Sequence, residues 1–289
     1  MNQFNVGDKD MSKSVWQKNK EGDIHFSYAN YEIEMNKPIA QHCHDRYEIL
    51  YVVEGSGKYV IEGAEYPIKP RTVLFAPPLS YHSLNFDPDT RYERYVLQFF
   101  SNNLTSAAQD FLSVLTKSLE GVGCYYAADA LSPSIVSMFD RFEYADGLPE
   151  REKNEFKKLL TSELVLLLSV ATRESIPRDE GELGARVVKY LNEYIDKDVS
   201  LDKLAKRFFV SKYYLCRAFK KHNGISVHGY INHKRVMYAK QMIESGETAS
   251  SAAYRVGFGD YSAFYRAYVK IIGSAPTSKK ATEGRINDV

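Results

Sequence analysis

The 289-residue chain has few cysteines, no long apolar run and almost no net charge. Cys43, Cys124 and Cys216 are odd in number and far apart. That excludes a disulfide framework and points to a reducing compartment. The longest apolar run is LVLLL at 164–168, far short of the roughly 20 residues that a membrane helix needs. The opening MNQFNVGDKDMSKSVW lacks the continuous apolar core of an export signal, so we expect a cytoplasmic protein with no membrane attachment. The length exceeds what one core usually organises, and two domains are expected.

The near-absence of net charge conceals a division. From Leu183 to Val289 there are 19 Lys and Arg against 9 Asp and Glu, whereas the rest of the chain holds 19 against 28. An acidic front is joined to a basic back, and the back suits a polyanionic partner.

The front reads as short strands. YEILYVVEG is an apolar strand ending at the Gly-Ser-Gly turn of 55–57, and KYVIEG, AEYPIKP, RTVLFAPP and RYVLQFF follow, most of them closed by Gly or Pro. Strands at this spacing predict a small barrel or double-sheet roll, which closes its own edges. After Phe100 the period becomes helical. TSAAQDFLSVLTKSLEG and SPSIVSMFDRFEYADG each run from a plausible cap to a glycine. In the next helix Phe156, Leu160, Leu164, Leu167, Leu168 and Ala171 form a broad apolar face. Val165 and Leu166 widen it beyond what one neighbour covers, so part of it is expected to meet a second subunit. The polar stretch ESIPRDEGELG, 174–184, divides a domain at 1–173 from one at 185–281.

The back half is all helix. SLDKLAKRFFV is capped by Ser200; SKYYLCRAFKKHNG is capped by Ser211 and stopped by Gly224; SVHGYINHKRVMYAKQMIESG is longer. A short helix, a turn and a basic helix make a helix-turn-helix, whose second helix enters the major groove of DNA. The unit occurs twice, as KLAKRFFVSKYYLCRAFKK and AAYRVGFGDYSAFYRAYVK. Ala205 and Ala253 allow close packing in the two first helices. Leu215 with Phe219, and Phe264 with Tyr268, anchor the two second helices at i and i+4, and Arg217 and Arg266 take equivalent places off the buried face.

SLDKLA, SKYYLCRAFKKHNGIS, YINHKRVMYAKQMI and YRVGFGDYSAFYRAY…GSAP resemble, in order and spacing, the double helix-turn-helix of the AraC family of bacterial transcription regulators. The front half, HCHDRYEILYVVEGSGKYVIEGAEYPIKP, resembles that family's cupin-like effector domain. The resemblance implies a two-domain α+β chain: a β-roll with a helical dimerisation segment, then an all-α DNA-binding domain. It implies a sequence-specific regulator, an activator more often than a repressor. Its partners would be promoter DNA, a small-molecule effector, a second copy of the chain and RNA polymerase.

By correspondence with the family, Tyr213, Cys216 and Arg217 on one helix, and Tyr261, Ser262, Tyr265 and Arg266 on the other, are the candidates for base edges. Lys212, Lys220, Lys221 and Lys234 are the candidates for phosphates. The family has bulky aliphatics where Ala249 and Ala252 stand, so the second unit is expected to pack less tightly than the first.

His42-x-His44-x3-Glu48-x6-Gly55, with His82 beyond, matches the metal pattern of the cupin fold. Alternation in a strand sends His42 and His44 to one face. Three readings are open: a metal set, contacts to a polar effector, or structural hydrogen bonding. Arg71 stands where a turn glycine is usual, Asn85 comes one place early, and spacing picks out no separate general base. Regulators of this family commonly keep such residues without metal. We therefore expect no cofactor and no catalysis, with His42, His44, Glu48, His82, Tyr47 and Tyr95 lining an effector pocket. Trp16, Tyr31, Tyr51 and Tyr59 are further aromatic wall candidates, and such a wall with Glu, His and Arg suits a sugar. The rival is a metal-dependent cupin enzyme with a regulatory tail, its metal on the same His42, His44, Glu48 and His82.

Overall fold

A computed structural model of the chain describes residues 24–31, 39–87, 90–117, 123–128, 133–171 and 182–276. Trp16 lies outside these residues, as does 174–181 of the expected linker.

The front is a double-sheet roll of antiparallel strands. One sheet has the order β1 (His25–Tyr31), β8 (Tyr92–Phe99), β3 (Tyr47–Glu54), β6 (Thr72–Ala76), β9 (Cys124–Tyr126). The other has the order β2 (Ile39–His42), β7 (His82–Phe86), β4 (Gly57–Ile61), β5 (Ala64–Ile68). Strand β3 is buried on both faces, which is why it reads as a continuous apolar run. Leu50 and Val52 point between the sheets, where Tyr59, Ile61, Tyr66, Leu84 and Tyr92 fill the roll. Ile49 and Tyr51 point outward with Val73, Phe75, Leu97 and Phe99. Helices α1 (Ser106–Lys117), α2 (Pro133–Asp146) and α3 (Glu150–Val170) cover that outer face. The predicted stripe does this: Leu160, Leu164 and Leu168 are fully buried, and Phe156, Leu167 and Ala171 pack at its edge.

Gly57 is required by close approach, because a Cβ there would lie 2.2 Å from the Asn85 carbonyl oxygen. Arg71 adopts the left-handed conformation that a glycine would supply, with φ of 62°.

Among the described residues the back half has six helices: α4 (Leu183–Tyr194), α5 (Leu201–Arg207), α6 (Lys212–Asn223), α7 (Val227–Glu244), α8 (Ala249–Arg255) and α9 (Tyr261–Ile272). In α5 to α9 the cap hydroxyl or carboxylate accepts from the third residue on: Ser200 from Lys203, Ser211 from Tyr214, Ser226 from Gly229, Thr248 from Ser251, Asp260 from Ala263. Gly224 ends α6 in the left-handed conformation.

Helix α7 belongs to two cores. Val227, Tyr230 and Ile231 pack with Leu204, Leu215 and Phe219 of the first unit. Val236, Ala239 and Ile243 pack with Ala252, Ala253, Phe264 and Tyr268 of the second. The looser second unit expected from its alanines is not what the structure has. Ala252, Ala253 and Phe264 are completely buried, because small side chains let α8 lie close against α7 and leave room for the large rings of α9. Arg235 ties the units together, donating to the carbonyls of Ile195 (2.9 Å), Gly257 (2.7 Å) and Lys197 (2.6 Å). No helix among the described residues is long and apolar enough to cross a membrane.

Candidate functional site

Three places carry chemistry: the outer faces of α6 and α9, a histidine cluster within the roll, and the joint between the domains.

On α6 the apolar i, i+4 pair Leu215 and Phe219 is buried, which turns Tyr213, Arg217, Lys220 and Lys221 outward. Cys216 is half-buried, and Tyr213 is 76% exposed. Burial of Phe264 and Tyr268 does the same on α9, leaving Tyr261, Ser262, Tyr265 and Arg266 exposed. Six of the seven candidates for base edges therefore share the open faces of two capped helices, with Cys216 at the edge of one. Among the phosphate candidates, Lys212 is exposed and pairs with Asp202 at 2.9 Å. Lys234 is a correction. It is only 4% exposed, and its ammonium bonds the Glu62 carboxylate at 2.8 Å, so in this arrangement it faces protein and not solvent. Arg235, beside it, has its guanidinium committed to backbone carbonyls.

Tyr214 and Phe209 carry no distinguishing signal in the sequence. Tyr214 is exposed on the same face of α6. Phe209 sits in the turn of the first unit, 94% exposed, at a φ of 55°. The second unit has Gly257 at the matching position, with φ of 92°. A left-handed non-glycine residue costs about 1–2 kcal/mol, so an exposed aromatic there is held at a cost in stability. Glycine would relieve that strain while giving up about 0.5–1 kcal/mol of chain entropy. Phe209→Gly should therefore stabilise the domain by about 0.5–1 kcal/mol in thermal unfolding. A less stable variant would show that the ring contributes packing instead.

Within the roll, three imidazoles and one carboxylate converge. The Nδ1 atoms of His42, His44 and His82 donate to the carbonyls of Ala40 (3.0 Å), Arg46 (3.0 Å) and Ser80 (2.9 Å). A carbonyl can only accept, so each Nδ1 carries a proton, and a ring that is neutral offers its Nε2 lone pair. Ligand nitrogens of all three rings lie within 4.8 Å of one another. Glu48 reaches in from β3, its Oε2 3.1 Å from His44 Nε2 and its Oε1 3.7 Å from His82 Nε2. Tyr59 (3.0 Å) and Gln98 (2.8 Å) donate to the carboxylate. Burial alone would raise the Glu48 carboxyl, but the facing imidazoles, His82 first, hold it well below the usual carboxylate range. Burial pushes His82 down to about 3 and lowers His42 as well.

Tyr47 and Tyr95, expected in this pocket, are not brought to it. They lie on the opposite face of the same sheet from Glu48. Tyr47 stacks on Phe75 and Phe99, and Tyr95 donates to Glu143 of α2 at 3.0 Å. Tyr51 also faces the helices. Gln98 was missed, although it pairs in register with Glu48 and shares its inward face.

The joint between the domains was invisible in the sequence. Glu62 and Gly63 form the two-residue tip of the β4–β5 hairpin, with φ of 49° and 80°, the positive pair that tight hairpins favour. The tip enters the DNA-binding half. Glu62 accepts from Lys234 (2.8 Å), from the Tyr230 hydroxyl (2.7 Å) and from the backbone of Tyr81 (3.0 Å). A Cβ on Gly63 would lie 1.9 Å from the His222 ring of α6. Tyr81 donates to His233, whose imidazole burial pushes down to about 4. Asp45 pairs with Lys240. Cys43 Sγ lies 3.7 Å from His233 Nδ1, and burial pushes its thiol up to about 12, which makes it unreactive.

Comparisons with known proteins match the two halves of the chain separately. A family model described as an AraC-like ligand binding domain matches residues 28–168, and one described as a helix-turn-helix domain matches 204–281. The HTH-type transcriptional activator RhaS of Enterobacter sp. (strain 638) is 27% identical over 234 residues, 78% of this chain and 81% of that protein. The uncharacterized HTH-type transcriptional regulator YbfI of Bacillus subtilis (strain 168) is 27% identical over 235 residues, 76% of this chain and 79% of that one. Among solved structures, ToxT from Vibrio cholerae O395 aligns at 13% identity over 88% of this chain and 95% of its own, with a TM-score of 0.35.

Proposed function

The chain belongs to the AraC family of transcription regulators, and on that footing we propose how its parts divide the work. It is a DNA-binding transcription regulator with a small-molecule effector domain at its front and a double helix-turn-helix at its back. One observation carries the assignment of roles: equivalent exposed arginines, Arg217 and Arg266, stand on two capped helices that share α7.

Successive major-groove faces lie about one turn, roughly 34 Å, apart, and paired recognition helices read them together. Arg217 and Arg266 donate to guanine edges, with Tyr213, Cys216, Tyr261, Ser262 and Tyr265 beside them. Lys212, Lys220 and Lys221 neutralise phosphates. Footprinting on the DNA flanking the protein's own gene tests this. Arg217→Ala should cost about 1–3 kcal/mol and relax preference at one base, while Lys220→Ala should weaken all sequences alike and lower the salt slope by about one. Protection without sequence preference would refute it.

The histidine cluster is the proposed effector site, and the hydroxyls of a small polar molecule of the sugar class fit its imidazole and carboxylate acceptors beside the Tyr59 ring. Its link to DNA is short. In residues 42–45 alternate side chains go opposite ways: His42 and His44 into the cluster, Cys43 and Asp45 onto α7. An effector that moves this segment moves both surfaces, which shifts the balance between docked and free DNA-binding domains. Activation, pairing of two copies and contact with RNA polymerase complete the reading. Exposed apolar groups on the covering helices, among them Phe111, Val114, Tyr144, Leu159 and Val170, support the pairing. The relatives are regulators, and we read this chain likewise as a cytoplasmic regulator and not an enzyme.

A further inference from the structure

We propose that Phe209 is a further DNA-reading residue, which sets its ring against the methyl group of a thymine at the rim of the groove that α6 enters. This rests on the reading above, in which α6 lies in the major groove, and adds to it a contact of different chemistry.

Folding alone does not account for the ring. Phe209 is 94% exposed, and its backbone holds a φ of 55°. Gly257 takes the matching place in the second unit, at a φ of 92°. Both turns close alike, with Val210 donating to the Ala205 carbonyl and Phe258 to the Ala253 carbonyl, each at 3.0 Å. The turn therefore forms without a side chain at this position. Strained backbone of this kind concentrates where a side chain has a use. An aromatic ring in water gains only when a partner covers it.

The surroundings say which partner. Phe209 lines one shallow groove with Lys206, Lys212, Ser211 and Asp202. Lys212 is a phosphate candidate, and Tyr213, the next residue, is a base-edge candidate that is 76% exposed. Lys206, Arg207 and Lys212 are all exposed, and Asp202 already pairs with Lys212 at 2.9 Å. An apolar ring bordered by cations suits duplex DNA. The phosphates take the lysines, and the thymine methyl is the apolar group that a base pair shows in the major groove. Recognition helices meet base edges with their N-terminal residues, and Phe209 stands just ahead of the Ser211 cap of α6. With glycine at 257, the second unit has no side chain for the same contact. The two half-sites are therefore unequal, and only the one under α6 has its thymine read in this way.

Footprint titrations of the full chain test this on the duplex that the wild type protects. Copies of that duplex carry deoxyuridine in place of single thymines, which removes only the methyl. One replacement in the α6 half-site should weaken the wild type about fourfold, roughly the worth of one buried methyl group. Phe209→Gly should bind the natural duplex at least about fourfold more weakly and be indifferent to that replacement. Because the glycine variant is expected to be the more stable protein, unfolding does not explain such a loss. Phe209→Ala, which lacks the ring without glycine's chain freedom, should match it; a loss confined to Phe209→Gly would trace to the backbone and overturn the contact. Equal affinity in all three proteins would also overturn it, leaving the ring to a protein partner. So would a loss that couples to no thymine, which would put the ring on the sugar-phosphate backbone. No protection by any of the three would instead refute the DNA reading beneath it.

Discussion

Glu62→Ala is expected to open the joint between the domains and to cost the docked arrangement about 3–5 kcal/mol. The wild-type carboxylate meets the Lys234 ammonium, the Tyr230 hydroxyl and the Tyr81 amide in one buried place. Without it, a cation that is 4% exposed keeps the Tyr230 ring, 5.3 Å away, but has lost its carboxylate. A lone buried charge is far more costly than the pair was favourable, so the chain relieves it by undocking and returning Lys234 to water. Hydrogen exchange would report this as faster exchange at Tyr81 and along the first half of α7, with the two cores themselves intact. Removing both charges, as Glu62→Leu with Lys234→Met, should recover most of the loss, because an apolar pair of similar volume tolerates burial. A single variant with wild-type exchange would show that the hairpin tip does not seat there in solution.

Phe264→Ala should be the most damaging change in the DNA-binding half, at about 3–5 kcal/mol. The ring is fully buried and packs against Phe258, Tyr261 and Tyr268. Alanines at 252 and 253 supply the wall opposite and have no bulk with which to refill the cavity. That loss is a large share of the 5–15 kcal/mol that holds a domain together. Helix α9 should then come away from α7, while the first unit keeps its own core around Leu204, Leu215 and Phe219. The footprint should contract to one half-site. Phe219→Ala should instead erase the other half-site and also loosen the joint, since Phe219 packs against Tyr230.

Much of this was legible in the sequence. The two helix-turn-helix units announce themselves because caps, glycine stops and i, i+4 anchors are local, and each acts within a few residues. The strands around YEILYVVE and RTVLFA are legible because burial on both faces leaves an unbroken apolar run. Strand β9 was not: three residues, Cys124–Tyr126, carry too little pattern to separate from the helices on either side. The tyrosines misled for a different reason. Composition counts Tyr47 and Tyr95 as available to a pocket, but a period of two puts them across the sheet from Glu48. The joint was beyond reach because Glu62, Asp45, Lys234 and Lys240 look like ordinary surface charges. Lys234 is 172 positions from its partner, and only the folded hairpin brings them together.

The shared helix α7 has a consequence for the DNA itself. Its 18 residues span about 27 Å as one rod buried in both cores, and Arg235 fastens the loops on either side. On the function proposed above, in which α6 and α9 both enter the groove, the two helices are held at one distance and one phase, as on a ruler. One base pair inserted between the half-sites would turn the second by about 35° around the duplex. A flexible tether would absorb that turn. A ruler cannot, so the spacing of the operator is as much a part of its message as its bases.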